Sequence, residues 1–383
     1  MTQEQTAPRV FFYVQHLLGI GHLARASRIA DAMVDEGFNV TVVTGGNPVA
    51  GFPSPKVDHI QLPAIVAGDA RFLGLCDADG HAVDDAFEEM RRDLLLAAYR
   101  QCHPDIVMIE AFPFGRRQVR FELIPLLDAI KSDADGPLVV CSVRDILQER
   151  PKPGRDAESV ALIKQYFDLV VVHGDPGFIR LEETFPLADE IQDKIAYSGI
   201  VAAPPPDKGE RQFDVVVSAG GGAVGIDLIR AAIATARRLP ATGRWCVITG
   251  PNQPTDEFDD VANSVSENVS VVRFRRDFPG LLASARLSIS QAGYNTVCDI
   301  LNARCRCVLV PFAAGGETEQ SVRAERLEKL GLAHVLAEST LSADSLEQCV
   351  TTALAAPPPP TFSLGLNGAH QTADILRQLL GRH

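Results

Sequence analysis

The chain has 383 residues, 46% of them hydrophobic, and a formal net charge of −13; this length exceeds one ordinary core and suits two domains. So acidic a balance carries no electrostatic footprint for nucleic acid and weakens the case for an anionic membrane surface, while a local basic patch keeps peripheral membrane contact open. No run of about 18 apolar residues occurs, the opening MTQEQTAPR lacks a signal-peptide core, and eight scattered Cys without a CxxC pair read as reduced thiols of a cytoplasmic protein.

Arg9 to Gln15 reads as a buried first strand. His16-Leu-Leu-Gly19-Ile-Gly21-His22 follows and opens an amphipathic helix, with Leu23, Ala26, Ile29, Ala30, Met33 and Val34 on one face and a stop at Gly37. Phe38 to Val43 is the next strand, so a Rossmann-type unit begins at once. It is not a dinucleotide fingerprint, because no third Gly follows Gly21 and no acidic residue ends the second strand. Residues 47–80 read as loop and short strand. A helix is expected over Asp84 to Arg100, and strands over Pro104 to Glu110, Pro137 to Ser142, Asp168 to His173 and Ile195 to Ser198.

Polar residues recur at the carboxyl ends of these strands, the edge where parallel sheets bind ligands. Glu110 ends one strand; Arg144, Asp145, His173 and Asp175 follow others and are candidates for an acceptor side. Arg144-Asp145 reads equally well as a structural ion pair. Arg116-Arg117-x-x-Arg120 reads as a solvated helix edge before it reads as an anion site. The Asp-x-Asp pairs at Asp77 and Asp133 do not follow hydrophobic strands, and His16, His59, His81 and His103 lack ligand spacing, so no metal is implied.

A proline-rich linker, 201–212, leads to a second Rossmann unit. It starts with a strand over Phe213 to Ser218, then Ala219-Gly220-Gly221-Gly222, whose bare backbone can approach a diphosphate. Strands over Trp245 to Gly250 and Val269 to Val272 follow. Pro357 to Pro360 marks a second crossing before a terminal helix over about Gly368 to Leu380.

The most informative stretch is Ser290 to Gln320. A strand enters a loop at Gly293, Asn295-Thr296 reads as a helix N-cap pair, and Cys307 to Pro311 is the next buried strand. A helix start attracts phosphate. Asp299, one turn on, can reach ribose hydroxyls, and Glu319-Gln320 after the next strand can hold a second polyol. His22, in the first turn of its helix, has an ordinary pKa near ~6.5 that suits a general base, with Glu110 placed to orient it.

Ser290 to Gln320 resembles the donor-binding signature of GT-B glycosyltransferases, most of all the MurG-type proteins of glycosyltransferase family 28. It is similar also to the plant natural-product enzymes, whose H-C-G-W-N-S-x-x-E becomes Gln291 to Asp299 here. Departures are Gln291 for His, Asp299 for Glu and Glu319 for Asp, and Gln291 brings no positive charge to a phosphate. Gly19-Ile20-Gly21-His22 resembles the motif whose His deprotonates the acceptor in inverting enzymes of this fold. The MurG-type members leave Glu110 or Asp145 open as the base, and His22 is otherwise a diphosphate contact or helix cap.

The resemblance implies an α/β GT-B architecture, two Rossmann-like domains facing across a cleft, with the C-terminal helix returning to the N-terminal domain. Residues 1–200 would be the acceptor domain, 213–360 the donor domain, and 361–383 the crossing helix. It implies inverting, metal-independent transfer from a nucleotide-sugar donor, UDP-linked, to an unknown hydroxyl acceptor such as a lipid or cell-envelope precursor, without a cofactor. Catalysis would fall to His22 and Glu110. Donor binding would fall to Gly21, Gly221, Gly222, Phe274, Gln291, Gly293, Asn295, Thr296, Asp299, Glu319 and Gln320. The alternatives are a nucleotide-sugar hydrolase or epimerase of the same fold, or a non-catalytic sugar-nucleotide-binding protein.

Overall fold

Runs rich in Val, Ile and Phe become parallel strands with both faces covered, as near-continuous apolar strands must. The computed structural model describes residues 7–17, 21–67, 74–148, 154–207, 209–221 and 224–382. Two units are formed, residues 1–201 with 364–383 and residues 202–363.

In the first unit the chain runs β1 (Arg9–Val14), α1 (Gly21–Asp35), β2 (Asn39–Thr44) and β3 (Asp58–Gln61), then a small antiparallel pair, β4 (Val66–Ala67) and β5 (Leu75–Cys76). It continues through α2 (Asp85–Cys102), β6 (Ile106–Glu110), α3 (Arg120–Lys131), β7 (Leu138–Arg144), α4 (Arg155–Tyr166), β8 (Leu169–His173) and β9 (Ile195–Tyr197). The sheet order is β3-β2-β1-β6-β7-β8-β9, parallel throughout. The chain therefore reverses its direction of travel between β1 and β6, which opens a crevice at their carboxyl ends. His22 follows β1 and Glu110 ends β6, so the topology alone delivers both to that crevice.

Alternate residues of β1 serve opposite cores, as strand geometry requires. Phe11 and Tyr13 pack with α2 and α3 residues such as Leu95 and Leu123. Val10, Phe12 and Val14 pack with Leu23, Ala26, Ile29 and Met33 of α1. Ala369, Ala373 and Leu376, from a helix near the end of the chain, complete this second core. The first core also encloses charge. Arg91 and Glu122, both fully buried, pair through Nε to Oε2 at 2.7 Å and Nη2 to Oε1 at 2.9 Å. Arg91 also donates to Gln15 Oε1 at 2.7 Å, and the Tyr13 hydroxyl donates to Glu122.

The second unit runs β10 (Val215–Ser218), α5 (Ile226–Arg238), β11 (Trp245–Ile248), α6 (Thr255–Asn263), β12 (Val269–Val272), α7 (Phe278–Ser284), β13 (Leu287–Ser290), α8 (Tyr294–Ala303), β14 (Cys307–Leu309), α9 (Glu319–Lys329), β15 (His334–Val335) and α10 (Ala343–Ala355). Its parallel order, β12-β11-β10-β13-β14-β15, repeats the reversal between β10 and β13. The glycine loop after β10 and the Gln291–Gly293 loop after β13 stand at that point.

The chain then re-enters the first unit with α11 (Gly368–Leu380), which packs on α1. Ile200 N donates to Gly365 O at 2.7 Å and Gly368 N to Ile200 O at 3.0 Å, stapling the outgoing segment to the returning one. Glycine is required here: a Cβ on Gly368 would sit 2.3 Å from the Gly199 carbonyl oxygen.

Candidate active site

His22 lies in the first turn of α1, and its Nδ1 is 3.2 Å from Oε1 of the fully buried Glu110. Arg25, one turn along the same helix and 2% exposed, forms an ion pair with the same oxygen. The other Glu110 oxygen accepts from Ser142 Oγ at 2.5 Å. Burial alone would raise the Glu110 pKa, but Arg25, His22 and Ser142 together hold it well below the usual carboxylate range. Glu110 is therefore ionised at neutral pH.

A pocket of about 240 Å³ opens beside this pair, lined among others by His22, Arg25, Phe114, Arg116, Arg144 and Arg155. Its charge is strongly cationic. Burial pushes the His22 pKa down to about 4; the Glu110 hydrogen bond resists, and the charges of Arg116 and Arg25 push it further. The ordinary value near ~6.5 expected from sequence is not kept. His22 is thus a neutral imidazole at pH 7, its side chain 22% exposed, with Glu110 as acceptor for an Nδ1 proton.

In the second unit, α8 starts at Tyr294 with Gly293 as its N-cap. Asn295 and Thr296 therefore occupy the first turn and are not its cap. Tyr294 is the first helical residue, and its ring is buried beside the Arg323 guanidinium. Asp299 lies one turn deeper and is 9% exposed. The first-turn N–H groups of such a helix face an anion favourably.

Gly221 has open space where a Cβ would stand, and its carbonyl accepts from Asn252 at 2.7 Å. Gln291, 6% exposed, underlies this loop: a Cβ on Gly225 would meet its Nε2 at 2.8 Å. Phe274, just past β12, is 63% exposed. Gly222, like Gly19, lies outside the described residues.

The Glu319-Gln320 pair is engaged inside the unit. Gln320 Oε1 accepts from Ala292 N at 3.0 Å and Phe312 N at 3.2 Å, tying together the loops after β13 and β14. Glu319 pairs with the buried Arg323 at 2.8 Å, and Arg323 donates to Ala292 O at 3.1 Å. Both side chains thus brace the loop floor, and the polyol contact expected of their oxygens would compete with these bonds.

Two acceptor-side expectations are corrected. His173 is fully buried and bonds to Ser142 and Ser198, each at 2.9 Å, so it lines no surface. Asp175 accepts from Gly177 N and from Gly365 N, both at 2.7 Å, and so anchors the returning segment. Arg144 lines the pocket, while Asp145 is 2% exposed and accepts from Ile146 N at 2.9 Å. Arg117 and Arg120 both pair with Glu158, whereas Arg116 faces the pocket.

Sequence reasoning missed Arg25, Ser142 and Arg323. The available signals were helical spacing, Arg25 three residues after His22 and Arg323 four after Glu319. For Ser142 the signal was its place at a strand end beside Glu110, its register partner.

Residues 215–369 match the glycosyltransferase family 28 C-terminal domain. The chain's sequence is similar to the UDP-N-acetylglucosamine–N-acetylmuramyl-(pentapeptide) pyrophosphoryl-undecaprenol N-acetylglucosamine transferase of Sinorhizobium medicae, 30% identical over 171 residues, 44% of this chain and 45% of that protein. The protein of that name from Thermotoga neapolitana is 24% identical over 45% of this chain and 49% of its own length. The chain thus spans about half the length of these curated relatives.

Solved structures extend the likeness in fold over nearly the whole chain. The calicheamicin glycosyltransferase CalG4 superposes with a TM-score of 0.65 at 18% identity, covering 98% of this chain and 99% of its own. MurG of Acinetobacter baumannii gives 0.61 at 15% identity, covering 97% and 99%. The fold is GT-B, and the stretch that matches the family 28 C-terminal domain contains the Gly293 and Asp299 helix start. Among the described residues, no helix is long and apolar enough to cross a membrane.

Proposed function

We propose that this protein is an inverting, metal-independent glycosyltransferase. It moves a sugar from a UDP-linked donor to a hydroxyl acceptor, a lipid or cell-envelope precursor, at the cytoplasmic side of a membrane. The observation that carries this reading is His22, neutral and 3.2 Å from the buried Glu110 at the mouth of a cationic pocket, in a chain that matches the family 28 C-terminal domain over residues 215–369. The pocket's arginines favour an acceptor that is itself anionic.

His22 Nε2 takes the acceptor hydroxyl proton as that oxygen bonds to the anomeric carbon. The bond from that carbon to the diphosphate oxygen breaks, and the nucleoside diphosphate leaves with the electron pair. Glu110 stabilises the imidazolium that forms. The negative charge that develops is met by the first-turn N–H groups of α8 and the backbone around Gly221. Phe274 offers an exposed ring face to a base.

The test is a panel of nucleotide sugars, following nucleoside diphosphate release with and without cell extract. Release that needs extract supports transfer. Release in buffer alone indicates a hydrolase, and binding without turnover under any condition rejects catalysis.

Two further results are expected. Activity should persist in excess EDTA, and abolition with rescue by magnesium or manganese would reject the metal-independent scheme. Asp299→Ala should weaken nucleotide binding at least tenfold by calorimetry with the fold retained, because charge-assisted hydrogen bonds to ribose contribute roughly 1.5–3 kcal/mol each. Unchanged affinity would end the ribose assignment.

A further inference from the structure

Glu110 is the near end of a buried chain of polar side chains that the reaction scheme does not use. Ser142 Oγ is 2.5 Å from Glu110 Oε2 and 2.9 Å from His173 Nε2, and His173 Nδ1 is 2.9 Å from Ser198 Oγ. Exposure is zero for Glu110, Ser142 and His173 and 3% for Ser198. Glu110 and His173 end β6 and β8, Ser142 lies inside β7 two residues before its end, and Ser198 stands just past β9, so the chain crosses the sheet near its carboxyl edge strand by strand. None of Ser142, His173 and Ser198 lines the pocket.

Proton count gives the chain a direction. Glu110 is a carboxylate and only accepts, so Ser142 spends its single hydroxyl proton on Oε2. Ser142 can then only accept from His173, which puts the His173 proton on Nε2. Nδ1 of that neutral ring must then accept, so the Ser198 hydroxyl at 2.9 Å turns its proton to the ring in preference to Gly199 O at 3.1 Å. Burial and then the charge of Arg25 push the His173 pKa down to about 3, with Glu110 opposing, so the ring is neutral throughout the working range.

The direction matters because two groups compete for His22 Nδ1. Arg25 Nη2 is 3.2 Å from it, the same distance as Glu110 Oε1. With the carboxylate in place, Nδ1 carries the proton and donates to it, leaving the Nε2 lone pair for an acceptor. Were the carboxylate to turn away, Arg25 would donate to Nδ1, the proton would move to Nε2, and the base would be lost. Among the described residues, the charged group facing His22 besides Glu110 of β6 and Arg25 of α1 is Arg116, from the loop after β6. It is also a donor and cannot replace Glu110.

We propose that Ser142, His173 and Ser198 are positioning residues: they hold the Glu110 carboxylate aimed at His22 Nδ1 and so select the tautomer in which Nε2 is the base. This rests on His22 serving as the base, yet the tautomer can be read without turnover. In protein labelled with 15N-histidine, the native His22 signals should report Nδ1–H. Ser142→Ala should shift them towards Nε2–H and lower kcat about tenfold with the donor KM unchanged, because Glu110 loses a buried hydrogen bond. Ser142→Thr, which keeps the hydroxyl, should restore both.

If Ser142→Ala does not fold, Ser198→Ala at the far end carries the test, with a smaller shift in the same direction. An unmoved His22 tautomer in the folded variant overturns the proposal, whether or not kcat falls. If no nucleotide sugar is turned over at all, the functional reading fails, while the tautomer shift still decides whether the chain aims Glu110.

Discussion

His22→Ala should lower kcat by ~10²–10⁴-fold, the range general-base contributions span, or about 3–5 kcal/mol of barrier. Nucleotide affinity measured by calorimetry should stay close to native, since every residue assigned to the donor except Gly21 lies in the other unit. Equal losses of turnover and donor affinity would make His22 a phosphate contact and pass the base role to Glu110 or Asp145.

The pH profile gives an independent check of the same residue. The imidazole works only when neutral, so the rate rises as pH rises through the His22 pKa and is flat above it. With that pKa pushed down to about 4, the step belongs near there, and full rate should persist at pH 6. A step close to the ordinary ~6.5 of free histidine would show that burial and the flanking arginines do not govern His22.

The largest effect on stability is expected at the buried ion pair beneath α2. Glu122→Ala would leave the Arg91 guanidinium charged and enclosed, with Gln15 Oε1, Gly45 O and Pro63 O as its remaining partners. Breaking such a pair costs about 3–5 kcal/mol, a large part of the stability of a typical domain. Urea denaturation should record it as a lower midpoint. Replacing both members together, Arg91→Met with Glu122→Leu, should be far milder, since no buried charge is stranded. A single-variant loss under about 1 kcal/mol would mean that water reaches Arg91 or that the core relaxes around it.

These networks mark where sequence reading stops. The two Rossmann sheets were legible because parallel strands buried on both faces appear as unbroken runs such as Val215 to Ser218, each closed by glycine or a polar turn. His22 and Glu110 were legible because each falls at the carboxyl end of such a run, beside the reversal of strand order. Arg25, Arg91 and Glu122 were not. On a helical wheel a charged residue beside an apolar stripe reads as solvent-facing, and its burial depends on a partner far away in the chain.

His173 and Asp175 failed for the opposite reason. Position at a strand end says that a polar side chain is near the ligand edge, not which way it turns. Here one turns into the sheet edge and the other onto backbone. The glycine loop and the α8 start were readable as strand-to-helix turns at the carboxyl edge of the second sheet. The bracing of Gln320 against Ala292 and Phe312 needed three separated segments to be seen together.

The staple between Ile200 and Gly365 also bears on how the protein is made. Residues 202–363 leave the first unit and return to it at one spot, so in covalent terms they are a long insertion between α1 and its packing partner α11. During synthesis the first unit emerges with Leu23, Ile29 and Met33 still lacking the Ala369, Ala373 and Leu376 that cover them. That face stays open to water, and to other nascent chains, until the ribosome has translated the entire intervening unit. A ribosome stalled anywhere before residue 368 would therefore hold a sticky, half-finished N-terminal sheet. Early chaperone attachment should map to α1, and should lapse only once α11 has cleared the exit tunnel.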